Sequence, residues 1–141
     1  MTKVDFVRPK GRLHPFSPLD LSTDWNRGAI VRAKTVRSAA FSGLHPHEHF
    51  GYEIERCTGL IELIGAKVGS TSTHLFIGFS KATQLPDPTF EYGSGEAIGT
   101  LTLPPDQFSS MLFIAHSASV YFRMGGDGTW NAIATDASLL R

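Results

Sequence analysis

The C-terminal stretch from Met111 to Thr135 constrains the fold most, because it reads as three short strands in meander order. Met111 to Ala115 is apolar almost throughout, the pattern of a strand covered on both faces, and Ser117 to Ser119 is small and polar enough to turn the chain. Val120, Phe122 and Met124 then share one face, with Tyr121 and Arg123 on the other. Gly125, Gly126, Asp127 and Gly128 supply the positive-φ positions of a tight hairpin turn, after which Trp130 to Thr135 resumes a strand. This glycine cluster is not a phosphate-binding loop, since no Lys-Ser/Thr pair leads from it into a helix.

Upstream, Ala29, Val31, Ala33 and Thr35 alternate with Arg32 and Lys34, as in a strand with one solvated face. Further strands are expected over residues 52–56, 60–68, 73–79, 90–92 and 97–103, and one helical turn over residues 105–110. Turn signals at Gly43, Thr58-Gly59, Gly69-Ser70, Pro86-Asp87-Pro88, Gly93-Ser94-Gly95 and Pro104-Pro105-Asp106 separate them. That spacing suits a sandwich or barrel. The expected fold is therefore all-β: an antiparallel β-sandwich, jelly-roll-like, with residues 29–141 forming one domain behind an extended N-terminal arm. At 141 residues the chain can bury a core without covalent staples. Its fourteen Gly and ten Phe also favour strands and turns over helices.

The arm, residues 1–28, is punctuated by Pro9, Gly11, Pro15, Pro18 and Gly28. Phe6, Leu13, Phe16, Leu19, Leu21 and Trp25 are spaced too irregularly for a helix, yet are too many for a tail that stays off every surface. An extended strap over the chain's own body or a neighbouring subunit is expected. Net charge is zero but unevenly placed. Residues 1–40 hold eight basic and three acidic residues, a formal +5, and residues 41–141 hold five basic and ten acidic, a formal −5. Such asymmetry can mark a basic arm that meets an acidic partner. The residues expected to make those contacts are Arg8, Lys10, Arg12, Phe16 and Trp25, with Arg32 and Lys34 as the adjoining basic strand face.

Cys57 is the single cysteine, so no intramolecular disulfide is expected. The N-terminus lacks an apolar signal core and no run is long enough to span a bilayer, so a soluble chain in the cytoplasm, with no membrane partner, is expected. No catalytic signature is complete. Arg56 beside Cys57 can lower a thiol pKa, but strand neighbours point to opposite faces. Glu53, Glu55 and Glu62 could supply a carboxylate pair, although glycosidase chemistry needs a defined separation that spacing does not establish. His14 and His74 read as ordinary surface or interface residues. Phe6, Arg8, Phe16, Trp25 and Arg27 interleave aromatic and basic groups, but the acidic body lacks a basic stripe, so nucleic acid is not an expected partner. Carbohydrate stacking through Tyr92, Tyr121 or Trp130 is a further reading.

Two resemblances add to these residues. His47-Glu48-His49, followed by Glu53 and Gly59, looks like the first half of the cupin metal motif, which would carry over His47, His49 and Glu53 as ligands to a divalent transition metal. The second half, a Pro-x-Gly followed by His, is missing, and His116 is the late histidine left for that role. Otherwise His45, His47 and His49 belong to a polar loop between strands. Separately, residues 112–140, with Val120-Tyr121-Phe122-Arg123, a Gly-rich turn and Ala132-Ile133-Ala134-Thr135, resemble the closing strands of small β-sandwich proteins in tailed-bacteriophage virions. That resemblance implies a non-enzymatic structural role in the virion, such as capsid decoration, cementing or head-tail connection, without cofactor. The implied partners are other copies of the chain and other virion proteins.

Overall fold

The computed structural model describes residue 25 and residues 28–49, 52–129 and 131–141. Seven strands follow in order: β1 (Ala29–His49), β2 (Tyr52–Gly65), β3 (Ser72–Ser80), β4 (Thr89–Gly93), β5 (Glu96–Leu103), β6 (Tyr121–Met124) and β7 (Ala132–Ala134). A helix, α1 (Phe108–Ala115), lies between β5 and β6, and 3-10 turns occupy Pro105–Gln107 and Ala137–Leu140. The strands form one sheet in the order β4-β5-β3-β2-β1-β6-β7, curled into a half-barrel. The chain is mostly β, as expected, but one mixed sheet stands where the sequence pointed to a jelly-roll-like antiparallel sandwich. The non-antiparallel pair is β3 with β5, in register from Ser72↔Glu96 to Phe79↔Leu103. It arises because β4 folds back on β5 as a hairpin, and β5 rather than β4 takes the place beside β3. Ser94 and Gly95 close that hairpin with φ of 54° and 77°, the two positive values that a type I′ turn requires.

Period-two alternation sorts the strands cleanly. Ile61, Leu63, Leu75, Ile77, Phe79, Ala97, Phe122 and Met124 face the concave side and form the main core with Val31 and Val120. The helix α1 lies against this core through Phe108, Met111, Leu112 and Ala115, with Phe108 edge-on to Phe79 at 4.9 Å. Residues 111–115 are thus helical rather than a strand. A continuous apolar run has no period to separate the two states. Here Pro105 starts a 3-10 turn, and Met, Leu and Ala continue it as good helix formers. Phe113, on the remaining side of α1, is exposed.

The largest departure is β1. Residues 36–49, expected to hold a turn and a polar loop, continue the strand to a length of 21 residues. Thr58-Gly59 likewise does not turn the chain but is a register shift inside β2, next to Arg56 at φ 52°. A bulge at Lys34 moves the register from Ala33↔Gly65 to Thr35↔Ile64 and reverses which residues face inward. Val36, not Thr35, therefore packs on the core. No helix among the described residues is long and apolar enough to cross a membrane.

Candidate interaction surface

The β1–β2 hairpin outruns its neighbours. β6 pairs with β1 only over Ala29–Arg32, and β3 pairs with β2 only from Cys57 to Ile64. Beyond these limits the ribbon continues through His47↔Ile54, Glu48↔Glu53 and His49↔Tyr52 with no third strand among the described residues. The outer edge of β1 past Arg32 is likewise unpaired by any described strand. Arg32, Lys34 and Arg37 are exposed along it, followed by exposed Ser38, Ala39, Ala40, Ser42, Gly43 and Leu44. An edge that no described strand pairs is a template for contact with another chain. The bulge at Lys34 and the wider irregularity between Ala40 and His45 interrupt it, which limits open-ended pairing.

Of the residues expected to make contacts, Arg32 and Lys34 lie on this edge. Trp25 does not: it is 2% exposed and belongs to the core of its own chain. Its ring stacks on Phe90 at 5.3 Å and tilts over Tyr92 at 5.6 Å, while its carbonyl accepts a hydrogen bond from the Gly126 N–H. Arg8, Lys10, Arg12 and Phe16 lie outside the described residues.

The histidine cluster falls at the hairpin end, on strand rather than loop, and His47 and His49 are described by their backbone pairing alone. Glu53 is directly opposite Glu48, one residue out of step with both histidines. Directly opposed residues share a face of the pleat, so the register groups Glu53 with Glu48. His116 is exposed and follows the last residue of α1. Among the described residues no group of three or more His, Cys, Asp or Glu converges on a metal-sized site.

Cys57 is fully buried, and its thiol donates to the Gly59 carbonyl at 3.5 Å. Burial pushes its pKa up, with hydrogen bonds near Gly59 and Phe79 opposing weakly. A buried thiol shifted this way is the opposite of an activated nucleophile. Glu62 accepts from Arg37 Nε at 3.2 Å and meets His74 Nδ1 at 3.2 Å, so it is engaged in a cross-strand cluster. Neither His74 nor Arg37 stands out in sequence. The signal is the register, which puts Arg37 opposite Glu62 and His74 opposite its second neighbour Ile64. Tyr92 lies under Trp25, and Trp130, the other aromatic considered for sugar stacking, is outside the described residues.

Comparison with protein-family models, with curated proteins and with solved structures gives no match.

Proposed function

We propose that the chain is a non-enzymatic structural component that works through subunit–subunit contacts, with the projecting β1–β2 hairpin as its contact element. One observation carries this reading: a ribbon of 21 and 14 residues runs past the sheet that supports it, with basic groups at its root and small uncharged residues beyond. Among the described residues this ribbon has backbone groups that no third strand pairs, and a neighbouring subunit would satisfy them by completing the pairing or packing on the ribbon. Arg32, Lys34 and Arg37 would meet acidic surface, of which residues 41–141 carry the formal excess.

The particle in this reading is a virion, with the chain as capsid decoration, cement or head-tail connector. Support comes from the likeness of the C-terminal strands, now restricted to β6 and β7 because residues 112–115 are helical. The second layer that a jelly-roll-like sandwich requires would then come from outside the sheet. A metal-binding hairpin end is the second reading, favoured by His47 and His49 at alternate strand positions. Electron micrographs of the native protein, with metal analysis of the same preparation, separate the two. Rings, shells or decorated particles free of transition metal support the structural role. A monodisperse monomer with stoichiometric metal, lost in His47→Ala/His49→Ala, would overturn it.

A further inference from the structure

We infer that the projecting ribbon docks on a second copy of this chain, on the face formed there by α1 and the 3-10 turn at Ala137–Leu140. The contact is head-to-tail, between two unlike surfaces. It rests on the assembly role proposed above and names the surface that receives the hairpin. Three large apolar side chains are exposed among the described residues: Leu44 at 43%, Phe113 at 80% and Leu139 at 73%. Leu44 is on the ribbon. Phe113 and Leu139 belong to two elements that both contact β7, the sheet edge opposite β4.

One exposed apolar residue needs no explanation, but here a whole face is apolar and uncharged. A surface helix ordinarily turns a charged side to water. In α1, Phe108, Met111, Leu112 and Ile114 pack on the core and are only half-buried, Phe113 stands on the other side, and Ser109 and Ser110 are the sole polar residues. Neither α1, nor β7, nor the 3-10 turn at Ala137–Leu140 contains a charged residue. The ribbon offers a matching shape. Between its basic root and Leu44 the exposed residues are small, namely Ser38, Ala39, Ala40, Ser42 and Gly43, and a Cβ placed at Gly43 would meet nothing within 4 Å. A protruding ring such as that of Phe113 needs that kind of room.

Charge decides which surfaces meet. Residues 29–44 carry Arg32, Lys34 and Arg37 and no acid, whereas residues 104–140 carry Asp106, Asp127 and Asp136 against Arg123 alone. The three cations of β1 and the three acids are exposed, while Arg123 is half-buried and donates to the Leu140 carbonyl at 2.8 Å. Asp106 lies in the turn that leads into α1, and Asp136 caps the 3-10 turn that bears Leu139, so acids flank the apolar face. Ribbon against face brings opposite charges together at the rim. Ribbon against ribbon, or face against face, would bring like charges together, which disfavours a two-fold contact. Both halves of the match are present on one chain, and all three apolar groups stay exposed within it, so the occupant is a second copy. An unlike pair of this kind leaves one ribbon and one face free at the ends, and copies added in turn close into a ring where the rotation allows.

Two full-length variants, each defective in one half of the contact, test this: Leu44→Asp, and Phe113→Asp combined with Leu139→Asp. All three positions are exposed, and amide dispersion confirms that each variant is folded. Sedimentation velocity is then read on the native chain, on each variant alone and on their equimolar mixture. The native chain is expected to self-associate, and each variant alone to do so at least about 30-fold more weakly. In the mixture one intact ribbon meets one intact face, so a heterodimer that grows no further is expected. An oligomeric native chain whose Phe113→Asp/Leu139→Asp variant associates as well as before, or a mixture that stays monomeric, would overturn the docking face and leave the assembly role standing. A monomeric native chain would overturn the assembly role and this contact with it.

Discussion

The ring of Trp25 stacks on that of Phe90 with centroids 5.3 Å apart and 22° between their planes. This contact ties the start of the described chain to the sheet's edge strand, some 65 residues later in sequence, and it makes Trp25 a structural residue of its own subunit. Trp25→Ala should destabilise the fold by about 3–5 kcal/mol through lost burial and the cavity left behind. Trp25→Phe should restore part of the loss through the remaining stack. Urea unfolding at two protein concentrations checks both points, because an intramolecular contact gives a midpoint independent of concentration.

Asn131 is buried beneath β4 and donates from Nδ2 to the carbonyls of Thr89 at 2.9 Å and Thr100 at 2.8 Å. It fastens the Gly-rich turn after β6 to the start of β4, where Thr89 and Thr100 also share a hydroxyl contact. Replacement by Ala strands two buried acceptors, and a loss of about 1–3 kcal/mol is expected. Asn131→Asp should be at least as harmful, since a carboxylate only accepts. Calorimetric unfolding of the two variants tests the order.

Cys57 offers a pH-dependent check. Its folded pKa is raised, chiefly by desolvation, so the native state holds the thiol proton more tightly than the unfolded chain. Its contribution to stability is full below the unfolded pKa and declines as pH rises from there through the folded pKa. Folded protein should react with a disulfide reagent at mildly alkaline pH more than about 100-fold slower than protein in denaturant. Fast labelling of the folded chain would contradict the packing around β2.

Asp136 caps the C-terminal 3-10 turn, accepting from the Ser138 N–H and hydroxyl, each at 2.9 Å. The Ser138 N–H, then its hydroxyl, lower the carboxyl pKa, with Arg141 adding a smaller pull. The sign is opposite to that of Cys57: the cap is intact above the unfolded carboxylate pKa and is lost as pH falls through the lowered folded value. A carboxyl titration by NMR should place Asp136 below the ordinary aspartate value, and Asp136→Ala should abolish any protection of the Ser138 amide.

Legibility followed local pattern. The positions of β3, β5 and β6, and the Gly125–Gly128 turn with positive φ at Gly125, Gly126 and Gly128, follow the sequence closely. In β6 each side chain's preference agrees with its burial, with Phe122 and Met124 buried and Tyr121 and Arg123 half-buried. Legibility failed where a long-range partner decides. Residues 36–40 have no strong β pattern and are strand because β2 pairs with them. Residues 111–115 are helical because the concave core accepts a helix face, which an unbroken apolar run does not reveal. The Lys34 bulge leaves no sequence mark at all, yet it turns Thr35 outward and Val36 inward. At the candidate surface, Arg32 and Lys34 were legible as a basic strand face, whereas the projecting hairpin beyond them depends on strand lengths set elsewhere in the sheet.

The hairpin is the element on which the assembly role rests, and shortening it is the most direct test. Replacing residues 48–53 with a two-residue turn removes the far end of the ribbon and leaves buried Ile54 and the β3-paired segment from Cys57 in place. Sedimentation velocity of native and shortened chains, each confirmed folded by amide dispersion, is the measurement. The assembly role predicts that the native chain sediments as a discrete oligomer and the shortened chain as a monomer at the same concentration. An unchanged sedimentation coefficient for the shortened chain, whether the native form is oligomeric or monomeric, would contradict it.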